Sequence, residues 1–289
     1  MSDREKYTGV VVPMISPFLP DGTIDAPAAR RVVDRLVSGG VAGVFPLGTT
    51  GERASMTASQ RLRLMEIVAE HLGDRSMLYA GIAGNCLSDS IDAARAYAKL
   101  GATAVVAHPP SYYPLGDAEM LAYFLRLADA APVPLVLYNI PITTHHAISI
   151  PVVMTLAEHP NIVALKDSAG DEKRLTELLR ATGGRGGFPV LLGSSAWFTH
   201  GLKAGGVGLV PSGAHLLPRE YQQMYEAAMR DDWAEVERLQ QVTDRTVARY
   251  IKGRSLGQGL AALKAILESQ GICGRTMLPP IRDHMGAAP

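Results

Sequence analysis

The chain has 289 residues, of which 28 are basic and 28 acidic, and 47% are hydrophobic. That length fits one large α/β barrel, alone or with a small appendage, and the composition excludes a disordered chain. A formal charge of zero argues against nucleic acid or an anionic membrane as the main partner, because both select a basic surface.

In chain order, short apolar runs bounded by Gly or Pro recur. They read GVVVP at 9–13, VAGVFPL at 41–47, MLYAGI at 77–82, AVVA at 104–107, PLVLY at 134–138, IVALK at 162–166, PVLL at 189–192 and VGLVP at 207–211. The runs are apolar nearly throughout rather than alternating, which predicts parallel strands covered on both faces. Segments of helical period lie between them, over 26–38, 57–71, 88–100, 118–130, 151–158, 171–180 and 196–203. Asp25, Thr57 and Ser149 stand as N-caps before three of these. Eight strand–helix units predict a closed (β/α)8 TIM barrel. An open doubly wound sheet is the runner-up, but its first turn normally carries phosphate-cradling glycines, and here that turn reads PMISP at 13–17.

Beyond 217 the strand rhythm stops, and 219–230, 233–250 and 256–269 read as helices. The expected domains are a barrel over 1–217 and a C-terminal helical appendage over 218–289, with a frayed end at 286–289. Cys86 and Cys273 are too few for a disulfide framework, and neither stands in zinc-ligand spacing. The polar opening at 1–6 lacks the apolar core of a signal peptide, and no apolar run reaches the about 18 residues of a membrane helix. A cytoplasmic location without membrane attachment is expected.

The active site of such a barrel lies at the C-terminal strand ends. Among seven lysines, Lys166 alone ends a buried run; the other six, Lys264 included, read as lying in polar, helical or turn contexts. Partial desolvation there is expected to favour the free amine, which can attack a ketone and form a Schiff base. The alternative is a structural lysine paired with Asp167 or Glu52. Tyr138 ends the preceding strand, where a phenol can shuttle protons around an iminium or can simply cap a layer of the barrel. Thr49 and Thr50 follow the second strand in a glycine-bounded turn whose amides and hydroxyls can hold a carboxylate. His145 and His146 are adjacent, and on an extended chain they point apart, which argues against a shared metal ion. His215 reads as structural or as a site residue with equal claim, and Gly205 and Gly206 as a weak phosphate-loop signal.

The motifs GTTGE (48–52), YYP (112–114), YNIP (138–141) and ALKDSAGD (164–171) together resemble the dihydrodipicolinate synthase and N-acetylneuraminate lyase family, in order and along the whole chain. The resemblance implies a pyruvate-dependent class I aldolase or related lyase that works without metal or cofactor, through a covalent lysine–substrate imine, usually as a homotetramer built as a dimer of dimers. It implies that Lys166 is the Schiff-base lysine, Tyr138 the proton shuttle and Thr49 its relay. Thr49 and Thr50 would bind the pyruvyl carboxylate. Tyr113 would be lent across a dimer interface, and the Val210 carbonyl would face the substrate.

Two departures bear on the substrate. Thr143 falls where dihydrodipicolinate synthases carry an arginine for a distal carboxylate, and a short hydroxyl does not replace a bidentate guanidinium. Sialic acid lyases carry an acidic pair after the seventh strand, and the matching stretch here reads GSSA at 193–196, without that grip. The expected activity is therefore cleavage or condensation of a 2-oxo acid of the 2-keto-3-deoxy sugar acid type, with pyruvate as product or donor. Thr143, His145, Ser168, Ser195 and Ser212 are the candidate contacts to the distal substrate. A Schiff-base dehydratase, a true dihydrodipicolinate synthase and a non-catalytic barrel that binds 2-oxo acids stay open, with a sugar-phosphate barrel enzyme as a weaker alternative.

Overall fold

The computed structural model describes residues 6–284, so the opening at 1–5 and the end at 286–289, expected to fray, lie outside the described residues. Eight parallel strands pair in chain order and close into a barrel. They are β1 (Gly9–Pro13), β2 (Gly43–Phe45), β3 (Met77–Gly81), β4 (Ala104–Ala107), β5 (Leu135–Asn139), β6 (Ile162–Asp167), β7 (Val190–Leu192) and β8 (Gly208–Leu209). Every residue of β4, β5 and β6 is buried, as expected for strands with apolar cover on both faces.

The helices are α1 (Ala26–Ser38), α2 (Ala58–Leu72), α3 (Leu87–Lys99), α4 (Asp117–Ala130), α5 (Pro141–Thr144), α6 (Ile150–Ala157), α7 (Glu172–Ala181), α8 (Phe198–Lys203), α9 (Pro218–Met229), α10 (Trp233–Ile251) and α11 (Leu256–Ser269). Their starts follow the sequence. The Asp25 carboxylate accepts from Ala28 N at 2.9 Å, and the Ser149 hydroxyl accepts from Val152 N at 3.3 Å. Thr57 and Gln60 form a reciprocal capping box. The single turn α5 was not expected; four residues are too few to show a helical period, and Pro141 at its first position starts it.

The chain divides into two compact units. One holds the residues through Val11 together with Tyr79–Pro211; the other holds Val12–Leu78 together with the residues from Ser212 onward. In the first, β5 and β6 pair with a slip: Leu135 faces Ile162, but Val136 faces Ala164, so Val163 is an extra residue on β6. From there the ladder runs without interruption to Tyr138 opposite Lys166 and Asn139 opposite Asp167.

In the second unit, α11 buries nine residues in an unbroken run from Gly259 to Leu267, Lys264 among them. Lys264 thus has the helical context read from the sequence, and the structure adds that it is buried, with 1% exposed. Its ammonium is bound to the Glu52 carboxylate and donates to Thr276 O at 2.8 Å. The other Glu52 oxygen accepts from Leu278 N at 2.9 Å. Among the described residues, no helix is long and apolar enough to cross a membrane. Cys86 and Cys273 are both free thiols, Cys86 exposed and Cys273 buried.

Candidate active site

Lys166 and Tyr138 are cross-strand partners at the ends of β6 and β5, and parallel pairing aims both side chains to the same face. Each is about 95% buried, with 5% of Lys166 and 4% of Tyr138 exposed. The Lys166 Nζ lies 3.8 Å from the centroid of the Tyr138 ring, a cation–π contact that holds nitrogen and phenol side by side. The two carboxylates considered as partners of a structural lysine each have hydrogen-bond partners of their own. Glu52 is bound to Lys264, and Asp167 accepts from the Asn139 amide at 2.7 Å and from Ala169 N at 3.1 Å.

The space around Lys166 depends on Gly193, one residue past β7. A Cβ there would stand 2.0 Å from Ser168 Oγ and 3.1 Å from Lys166 Cε, so only glycine leaves both side chains where they are. Ser168, Gly193 and Lys166 thus form one cluster. The Trp197 indole N–H donates to Gly170 O at 3.0 Å and ties the loop after β6 to the short 3₁₀ turn Ser195–Trp197, which carries Ser195. Val210 is buried, and its N–H donates to Leu192 O at 2.7 Å, which fixes the stretch just past β8 against β7.

Sequence reasoning missed His108. Ala107 at the end of β4 pairs with Leu137, which puts His108 level with Tyr138, and the two rings meet edge to face with centroids 6.2 Å apart. Its Nδ1 lies 2.7 Å from Pro109 O; a carbonyl only accepts, so Nδ1 carries the proton. The available signal is a histidine directly after a buried run; its level with Tyr138 depends on strand register, which the run does not record.

Thr143 sits on α5, with its hydroxyl 3.2 Å from Ile140 O. His145 and His146 are not on extended chain, as the sequence suggested. His145 caps α5 in the left-handed region at φ 64° and is exposed, and His146 Nε2 lies 2.7 Å from Pro110 O. A one-turn helix ending in a left-handed residue turns the pair out of register with a strand. Among the described residues, no group of three or more His, Cys, Asp or Glu is placed to hold a metal ion. Tyr113 and its neighbour Tyr112 are 70% and 75% exposed, with their rings 5.0 Å apart. Asn85 holds their loop, its side-chain oxygen accepting from Ser111 N at 2.8 Å and Tyr112 N at 3.2 Å. Gly205 and Gly206 answer to packing: a Cβ on Gly205 would stand 2.8 Å from Gly184 Cα, and one on Gly206 would stand 3.0 Å from Gly201 O.

In the second unit, Thr49 and Thr50 lie in a tight turn after β2, with Gly51 N bonded to Gly48 O at 3.1 Å and Glu52 N to Thr49 O at 3.1 Å. Thr50 is buried and Thr49 half-buried. The Ser16 hydroxyl donates to Gly51 O at 2.6 Å and pins the turn from outside. Ser212 turns its hydroxyl to Tyr250 on α10, 2.9 Å away. His215 takes the structural role. Its Nε2 accepts from Ile15 N at 3.1 Å and its Nδ1 donates to Ser212 O at 2.8 Å. Burial pushes its pKa down to about 4, so the ring is neutral and keeps one donor and one acceptor.

The profile of the dihydrodipicolinate synthetase family matches residues 6–285. The 4-hydroxy-tetrahydrodipicolinate synthase of Corynebacterium aurimucosum is 32% identical over 283 residues, which are 95% of this chain and 89% of that protein. The protein of the same name from Acidothermus cellulolyticus is 32% identical over 274 residues, 95% of this chain and 86% of its own. The solved structure of dihydrodipicolinate synthase from Bacteroides thetaiotaomicron superposes with a TM-score of 0.90 at 29% identity, covering 96% of this chain and 93% of that one. With a family profile that spans nearly the whole sequence and relatives at this level of identity, the chain belongs to the dihydrodipicolinate synthetase family.

Proposed function

We propose that the protein is a lysine Schiff-base lyase that cleaves or condenses a 2-oxo acid of the 2-keto-3-deoxy sugar acid type, with pyruvate as product or donor. The observation that carries this reading is the Lys166 nitrogen set 3.8 Å from the Tyr138 ring on adjoining strand ends. The amine attacks the C2 ketone. The carbinolamine then loses water as Tyr138 passes a proton to the departing hydroxyl, and an iminium remains. In the aldolase direction, Tyr138 takes the C4 hydroxyl proton, the C3–C4 bond breaks into the iminium, and an aldehyde and the enamine of pyruvate result. Protonation at C3 and hydrolysis release pyruvate and the free lysine. In a dehydratase the same iminium acidifies C3, and a hydroxyl leaves from the neighbouring carbon.

In this reading Thr49 and Thr50 bind the pyruvyl carboxylate, Thr49 relays protons, and the Val210 carbonyl faces the substrate. Ser168, Ser195, Thr143 and His145 meet the distal hydroxyls, while the Ser212 hydroxyl keeps its bond to Tyr250. The imine is the only covalent group that the reaction needs, and the reading calls for no cofactor or metal. It places catalysis in 1–217 with 218–289 as an appendage, in a cytoplasmic homotetramer. The large exposure of Tyr113 supports lending that side chain to a second copy. Sedimentation as a monomer at micromolar concentration would remove that part.

A second reading, a true 4-hydroxy-tetrahydrodipicolinate synthase, is favoured by the names of the curated relatives. It requires an aldehyde with a distal carboxylate, and Thr143 offers that carboxylate no cation. The deciding experiment is borohydride reduction in the presence of pyruvate, followed by peptide mass spectrometry. A reduced pyruvyl adduct is expected on Lys166 and is expected to vanish in Lys166→Ala. A folded wild-type protein that gives no adduct would sink the proposal in favour of a non-catalytic 2-oxo-acid-binding barrel or a carbonyl substrate too unlike pyruvate to react.

A further inference from the structure

One strand position beyond the reacting pair, the side chains of Asn139 and Asp167 meet on the opposite face. They are themselves cross-strand partners, and the Asn139 amide nitrogen donates to Asp167 Oδ2 at 2.7 Å. Both are buried, Asn139 with 0% and Asp167 with 5% exposed. Every remaining atom of this pair has a job. Asn139 Oδ1 accepts from Ile148 N at 3.0 Å, and Asp167 Oδ1 accepts from Ala169 N at 3.1 Å. Arg174 on α7 brings its Nε to 3.6 Å from Asp167 Oδ2 and donates through Nη2 to Ile148 O at 2.6 Å. The carboxylate is thus neutralised by a cation, and the asparagine cannot turn over without exchanging a donor for an acceptor on two partners at once.

The position of this pair matters because of the slip upstream. Val163 is an extra residue on β6, so the ladder between β5 and β6 changes register three residues before Tyr138 and Lys166. A strand pair that contains a bulge has a competing alignment close by, and backbone hydrogen bonds alone do not discriminate between registers. A side-chain bond between opposed partners does, because it closes at only one offset. The backbone follows it: Ser168 N donates to Asn139 O at 2.8 Å, and Gly193 N donates to Asp167 O at 2.7 Å, extending the lock to β7.

We propose that Asn139 and Asp167 are positioning residues, a cross-strand clamp that sets Lys166 against Tyr138 for imine formation. The inference rests on the lysine Schiff-base reading above. Attack and proton transfer both require the amine and the phenol within hydrogen-bond reach of one carbinolamine, and a misplacement of about 1 Å costs on the order of 100-fold in rate. The clamp touches no reacting atom; it acts through the two strand ends.

The test compares four proteins, wild type, Asn139→Asp, Asp167→Asn and the double exchange, with pyruvate as the probe. Each is quenched with borohydride over a time course that gives the rate of adduct formation on Lys166, and circular dichroism and the melting temperature are recorded on the same samples. Asn139→Asp sets two carboxylates face to face, and Asp167→Asn sets two amides. Either is expected to slow the adduct rate at least 10-fold in protein that is still folded. The double exchange restores one amide facing one carboxylate in reverse order, and it is expected to recover most of that rate. A merely structural pair would lower the melting temperature and leave the rate per folded molecule unchanged. If a single variant does not fold, Asn139→Ala takes its place, since it leaves Asp167 its hydrogen bond from Ala169 N and its ion pair with Arg174. Equal rates in all four proteins, or a double exchange no faster than the singles, would overturn the clamp. No adduct in the wild type would overturn the Schiff-base reading and the clamp with it, so the two failures are told apart by the wild-type lane.

Discussion

Lys264→Met is expected to destabilise the fold by about 3–5 kcal/mol, the range for removing one partner of a buried ion pair. The pair it breaks is closed to water, with 1% of the Lys264 side chain and none of the Glu52 side chain exposed. The ammonium binds Glu52 and Thr276 O, and it lies 4.5 Å from the centroid of the Phe18 ring. Burial pulls the lysine pKa down and the glutamate opposes it, the net direction being downward. Methionine fills most of the volume of the lysine stem, so the loss reports charge rather than a cavity. It leaves a carboxylate in the interior that still accepts from Leu278 N.

The double variant Glu52→Gln/Lys264→Met removes both charges and keeps an oxygen for Leu278 N. It is expected to recover most of the loss, because replacing a whole buried pair is often close to neutral. Urea unfolding of the three proteins measures this. A Lys264→Met midpoint within about 0.5 kcal/mol of wild type, the scale of an inert surface change, would mean that the pair carries no such weight. The pair fastens the residue after Gly51 to the segment that carries Thr276 and Leu278, so the Thr49–Thr50 turn and the end of the described chain share one anchor.

The barrel was legible because its physics is local and repeated. Strands covered on both faces must be apolar throughout, and the runs at 104–107 and 162–166 announce β4 and β6 to within one residue. Helix starts at Asp25, Thr57 and Ser149 were legible because a cap is a bond between residues three apart. Lys166 and Tyr138 stand out by the same logic, as polar groups near the ends of apolar runs, and β6 and β5 carry them there. What stayed hidden depends on register or on distant pairing. The extra residue at Val163, the level of His108 with Tyr138, and the opposition of Asn139 and Asp167 follow from which rows of neighbouring strands align. No pattern within one strand records that alignment. Lys264 and Glu52 are 212 positions apart, and a lysine in a helix is exposed often enough that nothing nearby signals burial.

Tyr138→Phe carries the largest expected effect on the chemistry. It keeps the aromatic ring over which the Lys166 nitrogen sits and removes only the hydroxyl. Ring and cation therefore stay in contact, and the exchange leaves untouched the Thr49–Thr50 turn proposed above to bind the carboxylate. Pyruvate is then expected to saturate the variant at a concentration similar to wild type. The maximal rate of adduct formation should fall by about 10²–10⁴-fold, the span that a positioned acid–base group contributes. The separation of the two parameters is the informative part. A residue that only packs the barrel layer would lose stability and little rate, because phenylalanine packs as tyrosine does. A residue that holds substrate would shift the saturation concentration and leave the maximal rate. Loss confined to the maximal rate identifies the proton carrier, since dehydration of the carbinolamine needs a proton delivered to a leaving hydroxyl and the neighbouring nitrogen cannot supply it while it becomes the iminium. A Tyr138→Phe protein that traps pyruvate within about threefold of the wild-type rate would pass that role to another group, and His108, in ring contact with the same tyrosine, is the residue to replace next.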